Sequence, residues 1–234
     1  MYISIVLPTF DERDNITSLI DRTLVTLNNY DLEIIVVDDD SPDGTWQLVQ
    51  EKEKIDSRVR LIRRVDENGL TSAIQRGITE SKGTYIGWMD CDLSMPPEDW
   101  AKLVKAIENG ADMVIGSRYV SDGADVAHSL TGRTLSRVIN LGASLLLDWG
   151  IKDYTSGFIL AHRKIFEQIT LRGDYGEYCI DLLYRTKRAN FMVQEVPYTC
   201  VPRESGESKT ATNVWGYITR GVNYVKTVSR LRLS

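Results

Sequence analysis

Cysteine is scarce and scattered. The three cysteines, Cys91, Cys179 and Cys200, lie far apart and form no Cys-x-x-Cys pair. That pattern argues against a zinc site and a disulfide framework, and for reduced thiols in a cytosolic setting. Long apolar runs are also missing. The longest, such as Leu145-Leu146-Leu147, are cut by Asp148 and glycines, well short of the ~20 residues a spanning helix needs. The chain starts directly in a strand-like run, Met1-Tyr2-Ile3-Ser4. No basic segment leads into an apolar one there, so no signal peptide is expected. No Gly-x-Gly-x-x-Gly follows the first apolar run and there is no Gly-Lys-Ser/Thr loop, which argues against a dinucleotide-binding fold and a P-loop. Repeats and low-complexity segments are absent.

The charge balance excludes one partner class and suggests another. A net charge of -5 speaks against nucleic acid as a partner by bulk electrostatics. Acidic residues stop at Glu207, however, while Lys209, Arg220, Lys226, Arg230 and Arg232 follow. That asymmetry suggests a local anionic partner. At 234 residues, with 42% hydrophobic and 26% charged residues, the chain reads as one large soluble globular domain.

The first half alternates strand and helix. Ile3 to Leu7 is a buried strand stopped at Pro8, and Asn15 to Leu27 carries apolar residues at helical spacing. Leu32 to Val37 is a β-branched run typical of a parallel strand covered on both faces. Thr45 to Lys54 is a helix, Val59 to Arg63 a strand, Thr71 to Ser81 a helix and Thr84 to Met89 a strand. Pro96-Pro97-Glu98 opens the next helix, and Asp112 to Gly116 is a fifth strand. This order predicts an α/β fold with a mainly parallel sheet flanked by helices, binding ligands at the carboxyl ends of its strands.

Three of those strand ends are acidic or turn-forming: Pro8-Thr9-Phe10-Asp11-Glu12, Asp38-Asp39-Asp40 and Asp90-Cys91-Asp92. Asp90 and Asp92, one residue apart at the end of a strand, would face together and could hold a divalent cation, which in turn could hold a diphosphate. A loop with two solvated aspartates is the plain alternative, and the other two acidic strand ends weigh against it.

The second half is less regular. Val120 to Ala127 reads as a mobile loop and Ser129 to Leu147 as a helix. Arg133, Ser136, Arg137 and Asn140 share one face of that helix, with Leu135, Val138, Ile139 and Leu146 on or near the other. The polar face suits either solvent or a phosphate. Ile159 to Ala161 is a strand, Tyr178 to Ala189 a helix and Phe191 to Val201 a loosely alternating strand. A polar loop, Pro202 to Lys209, precedes a last amphipathic segment with Trp215, Ile218, Val222, Val225, Val228 and Leu231 at helical spacing and basic residues between. This is either a packed terminal helix or an interfacial one on anionic lipid. The expected division is a main domain over 1–210 and a basic amphipathic helix over 211–234.

These motifs resemble those of family-2 inverting glycosyltransferases with the GT-A (Rossmann-like) fold. Pro8-Thr9-Phe10-Asp11-Glu12 is similar to their Pro-Thr-Tyr-Asn-Glu opening, Val37 through Thr45 to their Val-Asp-Asp-x-Ser-x-Asp-Gly-Thr, and Asp90-Cys91-Asp92 to their Asp-x-Asp metal motif. Gly116-Ser117-Arg118-Tyr119, Ser156-Gly157-Phe158, Glu195-Val196-Pro197 and Arg203 through Lys209 resemble the polyprenol-phosphate (dolichol-phosphate) mannosyltransferase branch. A Gln-x-x-Arg-Trp motif, the mark of processive polysaccharide synthases, is absent.

The resemblance implies a site in two halves. Pro8, Thr9, Glu12, Asp38 and Asp40, with Asp90 and Cys91, would bind the nucleotide sugar, GDP-mannose by branch. Asp90 and Asp92 would carry Mg2+ or Mn2+. Ser94 stands where the family often has Gln and would be a shorter metal ligand acting through water. Arg118, Arg133, Ser136, Arg203 and Lys209 would hold the phosphate of a polyprenyl or dolichyl acceptor. Asp90, Asp92, Arg118 and Arg203 would be the catalytic set. The family's Lys-Gly-Leu-Gly becomes Asn68-Gly69-Leu70-Thr71, and Gly132 stands where an arginine is frequent, with Arg133 one step later. A phosphate nucleophile is already anionic and needs no general base. A hydroxyl acceptor would need one, for which Asp181 is the candidate; a non-catalytic nucleotide-sugar-binding subunit is the remaining alternative. The implied location is cytoplasmic, peripheral to the cytosolic face of a membrane. The chain would reach it by its basic terminal helix or by a small membrane-anchoring subunit.

Overall fold

A computed structural model describes residues 1–205 and 214–233. In chain order the elements are β1 (Tyr2–Thr9), α1 (Arg13–Thr26), β2 (Asp31–Asp38), α2 (Thr45–Ile55), β3 (Val59–Arg63), α3 (Leu70–Glu80) and β4 (Tyr85–Trp88). There follow α4 (Trp100–Glu108), β5 (Met113–Ser117), β6 (Ala124–Asp125), α5 (Leu130–Leu146), β7 (Ile159–His162) and α6 (Arg163–Phe166). The last are α7 (Glu177–Arg188), β8 (Val193–Pro197), β9 (Thr199–Cys200) and α8 (Val214–Leu233).

Seven strands form one sheet in the order β3-β2-β1-β4-β7-β5-β8, and β6 pairs with β9 in a small second sheet. The pairs β1–β2, β1–β4, β2–β3 and β5–β8 are parallel, whereas β7 runs antiparallel to both β4 and β5. The reversal at β7 has a functional consequence. The carboxyl ends of β1, β2, β4 and β5 and the amino end of β7 all reach one edge of the sheet. Such an edge is where sheets of this kind bind ligands.

Alternation along the strands divides the core into two layers. Ile3, Ile5 and Leu7 of β1 pack with Ile16, Leu19, Leu103 and Phe158 on one face. Val6, Ile35, Ile86 and Trp88 pack with Ile74, Ile180 and Leu183 on the other. Gly87 in β4 lets Trp100 lie on the strand, since a Cβ there would come 2.8 Å from the indole and from the Ile159 carbonyl.

Several boundaries differ from the sequence expectation. β4 ends at Trp88, so Asp90 and Asp92 stand on the turn beyond the strand rather than on its alternating face. Phe191 to Val201 divides into β8 and β9, and the stretch 120–127, expected to be mobile, contains β6. Val228 and Leu231 of α8 are buried against the second core layer, while Val222 and Val225 are exposed, so this helix is packed on one side and open on the other. No helix among the described residues is long and apolar enough to cross a membrane.

Candidate functional site

The ends of β1 and β2 are locked together by short polar side chains. Thr9 and Asp38 are register partners at the strand ends. Asp38 accepts from the Ser41 backbone N–H at 2.8 Å and from the Ser41 hydroxyl at 2.7 Å. Ser41 Oγ in turn accepts from the Asp11 N–H, Thr45 Oγ1 from the Glu12 N–H and Asp43 from the Arg13 N–H, each at 3.0 Å. Asp11, Asp40 and Leu93 have φ of 53°, 53° and 62°, each just past the end of β1, β2 or β4. A left-handed backbone at three adjacent strand ends, one of them leucine, is the kind of strain that clusters at binding sites.

This geometry corrects part of the predicted nucleotide cradle. Asp38 has no exposed surface, and burial raises its pKa above the usual carboxylate value despite the Ser41 bonds. Thr9 is buried and its hydroxyl faces the Leu7 and Val37 carbonyls. Cys91 is buried with its thiol on the Pro8 carbonyl at 3.3 Å. These side chains shape the turns and do not face the cleft, because each spends its polar atom on neighbouring chain. Pro8 is half-buried and Glu12, also half-buried, accepts from Asn15 Nδ2 at 2.9 Å. Asp40 pairs with Arg63, whose guanidinium lies 3.7 Å over the Trp46 ring. Arg63, Trp46 and Arg64, the last paired with Asp39, carry no motif in the sequence and resemble ordinary surface residues there.

Asp90 sits at the floor of the cleft. Its own surface is open, yet protein crowds around it on the other sides. Burial, followed by the charges of Asp92 and Glu12, lifts its pKa to about 7, against the opposing pull of Arg118 and Arg203. Two neighbouring carboxylates, Asp90 and Asp92, are oxygen donors of the kind a hard divalent cation takes, with Arg203 held against Asp92 in this structure. Asp92 is mostly buried, accepts from the Ser94 N–H at 3.0 Å and is paired with Arg203 at 2.8 Å. Ser94 is half-buried two residues beyond Asp92. Gly157, delivered by the start of β7, borders this pair: a Cβ there would lie 3.6 Å from Asp90 Oδ1.

The basic half is built from residues distant in sequence. Arg118, just past β5, donates from Nε and Nη2 to the two oxygens of Asp153 at 2.8 Å and from Nη2 to Thr155 Oγ1 at 2.8 Å. Its remaining nitrogen, Nη1, lies 3.6 Å from Asp125. Arg118 is thus a buried, internally paired cation; the expected direct phosphate contact is limited to that one nitrogen. Arg133 donates to the Asp125 carbonyl at 3.2 Å, while its Nε is buried with no hydrogen-bond partner among the described residues. Ser136 Oγ accepts from Tyr119 at 2.8 Å, and Asn140 donates to Thr155 Oγ1 at 2.9 Å. Asp153 and Thr155 organise this half together with Tyr119 of the Gly116–Tyr119 motif and Asn140 of the polar face of α5. Lys209 lies outside the described residues.

Helix α5 is turned inside out. Asn140, Ala143 and Ser144 are buried, with Arg133 and Ser136 half-buried. The opposite, apolar face points outward: Val138 is 61% and Leu141 57% exposed, with Leu130, Leu135, Leu145 and Leu146 also open. The polar face is therefore the inner one. Asp181, the candidate general base for a hydroxyl acceptor, is not at this edge. It is buried on α7, accepting from Arg185 at 3.1 Å and Arg230 of α8 at 2.9 Å, which overturns that assignment.

A mostly parallel sheet with one reversed strand, acidic at the edge and faced by an arginine-bearing helix, is the GT-A arrangement. Residues 4–170 match the family profile of glycosyl transferase family 2, and the chain belongs to that family. A dolichol-phosphate mannosyltransferase of Pyrococcus furiosus is 38% identical over 213 residues, 89% of this chain and 59% of that relative. A polyprenol monophosphomannose synthase of Mycolicibacterium smegmatis is 36% identical over 214 residues, 88% of this chain and 79% of that relative. The chain therefore spans 59% of the length of the first of these. Among solved structures, glucosyl-3-phosphoglycerate synthase from Mycobacterium tuberculosis, in complex with Mn2+, UDP and phosphoglyceric acid, superposes with a TM-score of 0.72 at 20% identity, covering 99% of this chain and 78% of that one.

Proposed function

We propose that the chain transfers a hexose, mannose from GDP-mannose in preference to other donors, onto the phosphate of a polyprenyl or dolichyl lipid. The observation that carries this reading is the inverted α5. It turns Arg133, whose buried Nε has no partner among the described residues, toward the protein and presents an apolar stripe outward. An unpartnered guanidinium nitrogen suits a phosphate, and an apolar helix face beside it suits the lipid that carries the phosphate.

In this reading Asp90 and Asp92, with Ser94 beside them, hold Mg2+ or Mn2+. When bound, the cation offsets charge developing on the departing nucleoside diphosphate. Pro8, Glu12 and Asp40 line the nucleotide side, on turns shaped by Thr9, Asp38 and Cys91. Arg133, Arg203 and Ser136 receive the acceptor phosphate, with Lys209 assigned by resemblance, and Arg118 holds the floor between the two halves. The cations let two anionic groups approach each other. The lipid phosphate is the nucleophile and attacks the sugar C1 opposite the leaving diphosphate. The location of Asp181 removes the candidate base of the hydroxyl-acceptor alternative and so favours a phosphate acceptor. Membrane contact is through α5 and the exposed side of α8, where Val222, Val225, Lys226 and Arg232 are open. In this reading the protein is peripheral to the cytosolic face of a membrane.

The test has two stages. Thermal shift with GDP-mannose, UDP-glucose and UDP-GlcNAc in the presence of Mg2+ ranks the donors, since a ligand selective for the native state raises its apparent stability. Labelled sugar is then offered with polyprenyl phosphate or with an oligosaccharide. Label on the lipid is the expected result; label on the oligosaccharide overturns the proposal.

A further inference from the structure

We propose that Asp125, His128 and Cys200 form a second cation site, for a borderline-soft metal of the zinc class. It is separate from the hard-cation pair at Asp90 and Asp92. One ligand atom from each residue lies within 4.8 Å of the others. The scattered cysteines argue against such a site in the sequence, but folding brings the distant Cys200 to the local Asp125-x-x-His128 pair. Asp125 and Cys200 are register partners where β6 meets β9. His128 folds back over them, with its ring Nδ1 3.0 Å from both Asp125 oxygens and its backbone N–H 3.1 Å from Oδ1.

Ligands of a tetrahedral zinc ion stand roughly 3.3–3.8 Å apart, given bonds near 2.0–2.3 Å. Closure from the present spacing needs a shift of about 1 Å by that measure. His128 Nδ1 already stands 3.0 Å from Asp125, so the closing movement lies in side-chain rotation around Cys200, with the half-exposed His128 ring able to follow and the β6–β9 backbone register unchanged. A thiolate, an imidazole and a carboxylate together select zinc over magnesium or manganese, which prefer oxygen alone. Binding exchanges metal-bound waters for the three side chains, and the Cys200 thiol releases its proton to solvent as the sulfur–metal bond forms. One coordination position is left for water or an anion. The Arg118 guanidinium lies 3.6 Å from Asp125 Oδ2.

The three ligands belong to the segments that present the basic half of the cleft. Asp125 follows Arg118, His128 precedes Arg133 and Cys200 precedes Arg203. A metal here ties those segments to one another, whichever sugar or acceptor is used, and adds positive charge beside them.

Cobalt(II) titration tests this directly. The holo site gives one equivalent of tetrahedral cobalt with a thiolate-to-metal charge-transfer band, displaced by Zn2+, and Zn2+ raises the melting temperature. Cys200→Ser abolishes the band. His128→Ala, at an exposed position that leaves the fold intact, weakens cobalt binding at least about tenfold. This second variant decides the matter should Cys200→Ser fold poorly. Cys91→Ser and Asp92→Ala keep the band, which separates this site from the donor site. The proposal is overturned by the absence of a charge-transfer band in the native protein, by its survival in Cys200→Ser, by its loss in Cys91→Ser, or by unchanged affinity in His128→Ala.

Discussion

The acidic and basic halves of the cleft are built on opposite plans. In the acidic half, each functional group follows its own strand within a few residues, and short side chains such as Asp38, Ser41 and Thr45 fix the turns. In the basic half, Arg118 is held by Asp153, Arg133 by the Asp125 carbonyl and Arg203 by Asp92, each from elsewhere in the chain. The first plan ties neighbouring strand ends through short side chains and backbone N–H groups, the second pairs arginines with carboxylates and carbonyls. The two halves meet at the Asp92–Arg203 ion pair. In that arrangement an internal arginine neutralises a carboxylate that the proposed mechanism assigns to a metal.

That meeting point gives the largest expected effects. Asp92→Ala lowers transfer by at least ~100-fold, the scale of removing a charge-stabilising group from a reaction centre, while circular dichroism stays native. Arg203→Ala also lowers transfer strongly but is expected to tighten divalent-cation binding several-fold, because a competing cation leaves Asp92. Isothermal titration with Mn2+ checks this, and weaker Mn2+ binding in Arg203→Ala would break the comparison between the halves. Next comes the lipid side. Val138→Glu together with Leu141→Glu, both at exposed positions, is expected to abolish co-sedimentation with anionic vesicles while leaving nucleotide-sugar binding and melting temperature unchanged.

A smaller effect concerns pH. The folded Asp90 carboxyl titrates at about 7, above its unfolded value of about 4. Its contribution to stability is therefore present at low pH and lost as pH rises through about 7. The metal-free protein should melt at progressively lower temperature between about pH 4 and about pH 7, and Asp90→Asn or saturating Mg2+ should flatten that slope. Metal affinity should fall as pH drops below 7, because the protonated carboxyl cannot bind the ion. The smallest expected change is Gly157→Ala. Its Cβ would sit 3.4 Å from Tyr178 Oη and 3.6 Å from Asp90 Oδ1, ordinary contacts. The melting temperature should hold, and steady-state assays should show a rate loss of a few-fold at most.

The same division explains what was legible in the sequence. Parallel β-branched runs such as Leu32 to Val37, and the acidic turns that end them, reveal both the sheet and its ligand edge. The face of α5 was legible as a pattern but not in direction. Helical spacing groups Arg133, Ser136 and Asn140 without saying that Asn140 caps the Tyr154 N–H and so faces inward. Thr9 and Asp38 stand in the right motif, yet burial converts them from ligand-facing groups to turn supports. Asp181 shows the reverse error: an acid placed in a plausible sequence context, claimed by Arg185 and Arg230 on another surface. Cys200 shows the limit of spacing rules, since only the β6–β9 pairing brings it to the local Asp125–His128 pair.

The central claim is that the acceptor is a lipid phosphate received by the inner face of α5. The most direct measurement offers labelled GDP-mannose and Mg2+ with polyprenyl phosphate or with the unphosphorylated polyprenol, to the native protein and to Arg133→Ala. The account predicts organic-extractable label with polyprenyl phosphate alone, and a raised KM for that acceptor in Arg133→Ala with donor binding unchanged. Equal labelling of the free polyprenol, or an Arg133→Ala variant with native acceptor kinetics, would contradict it.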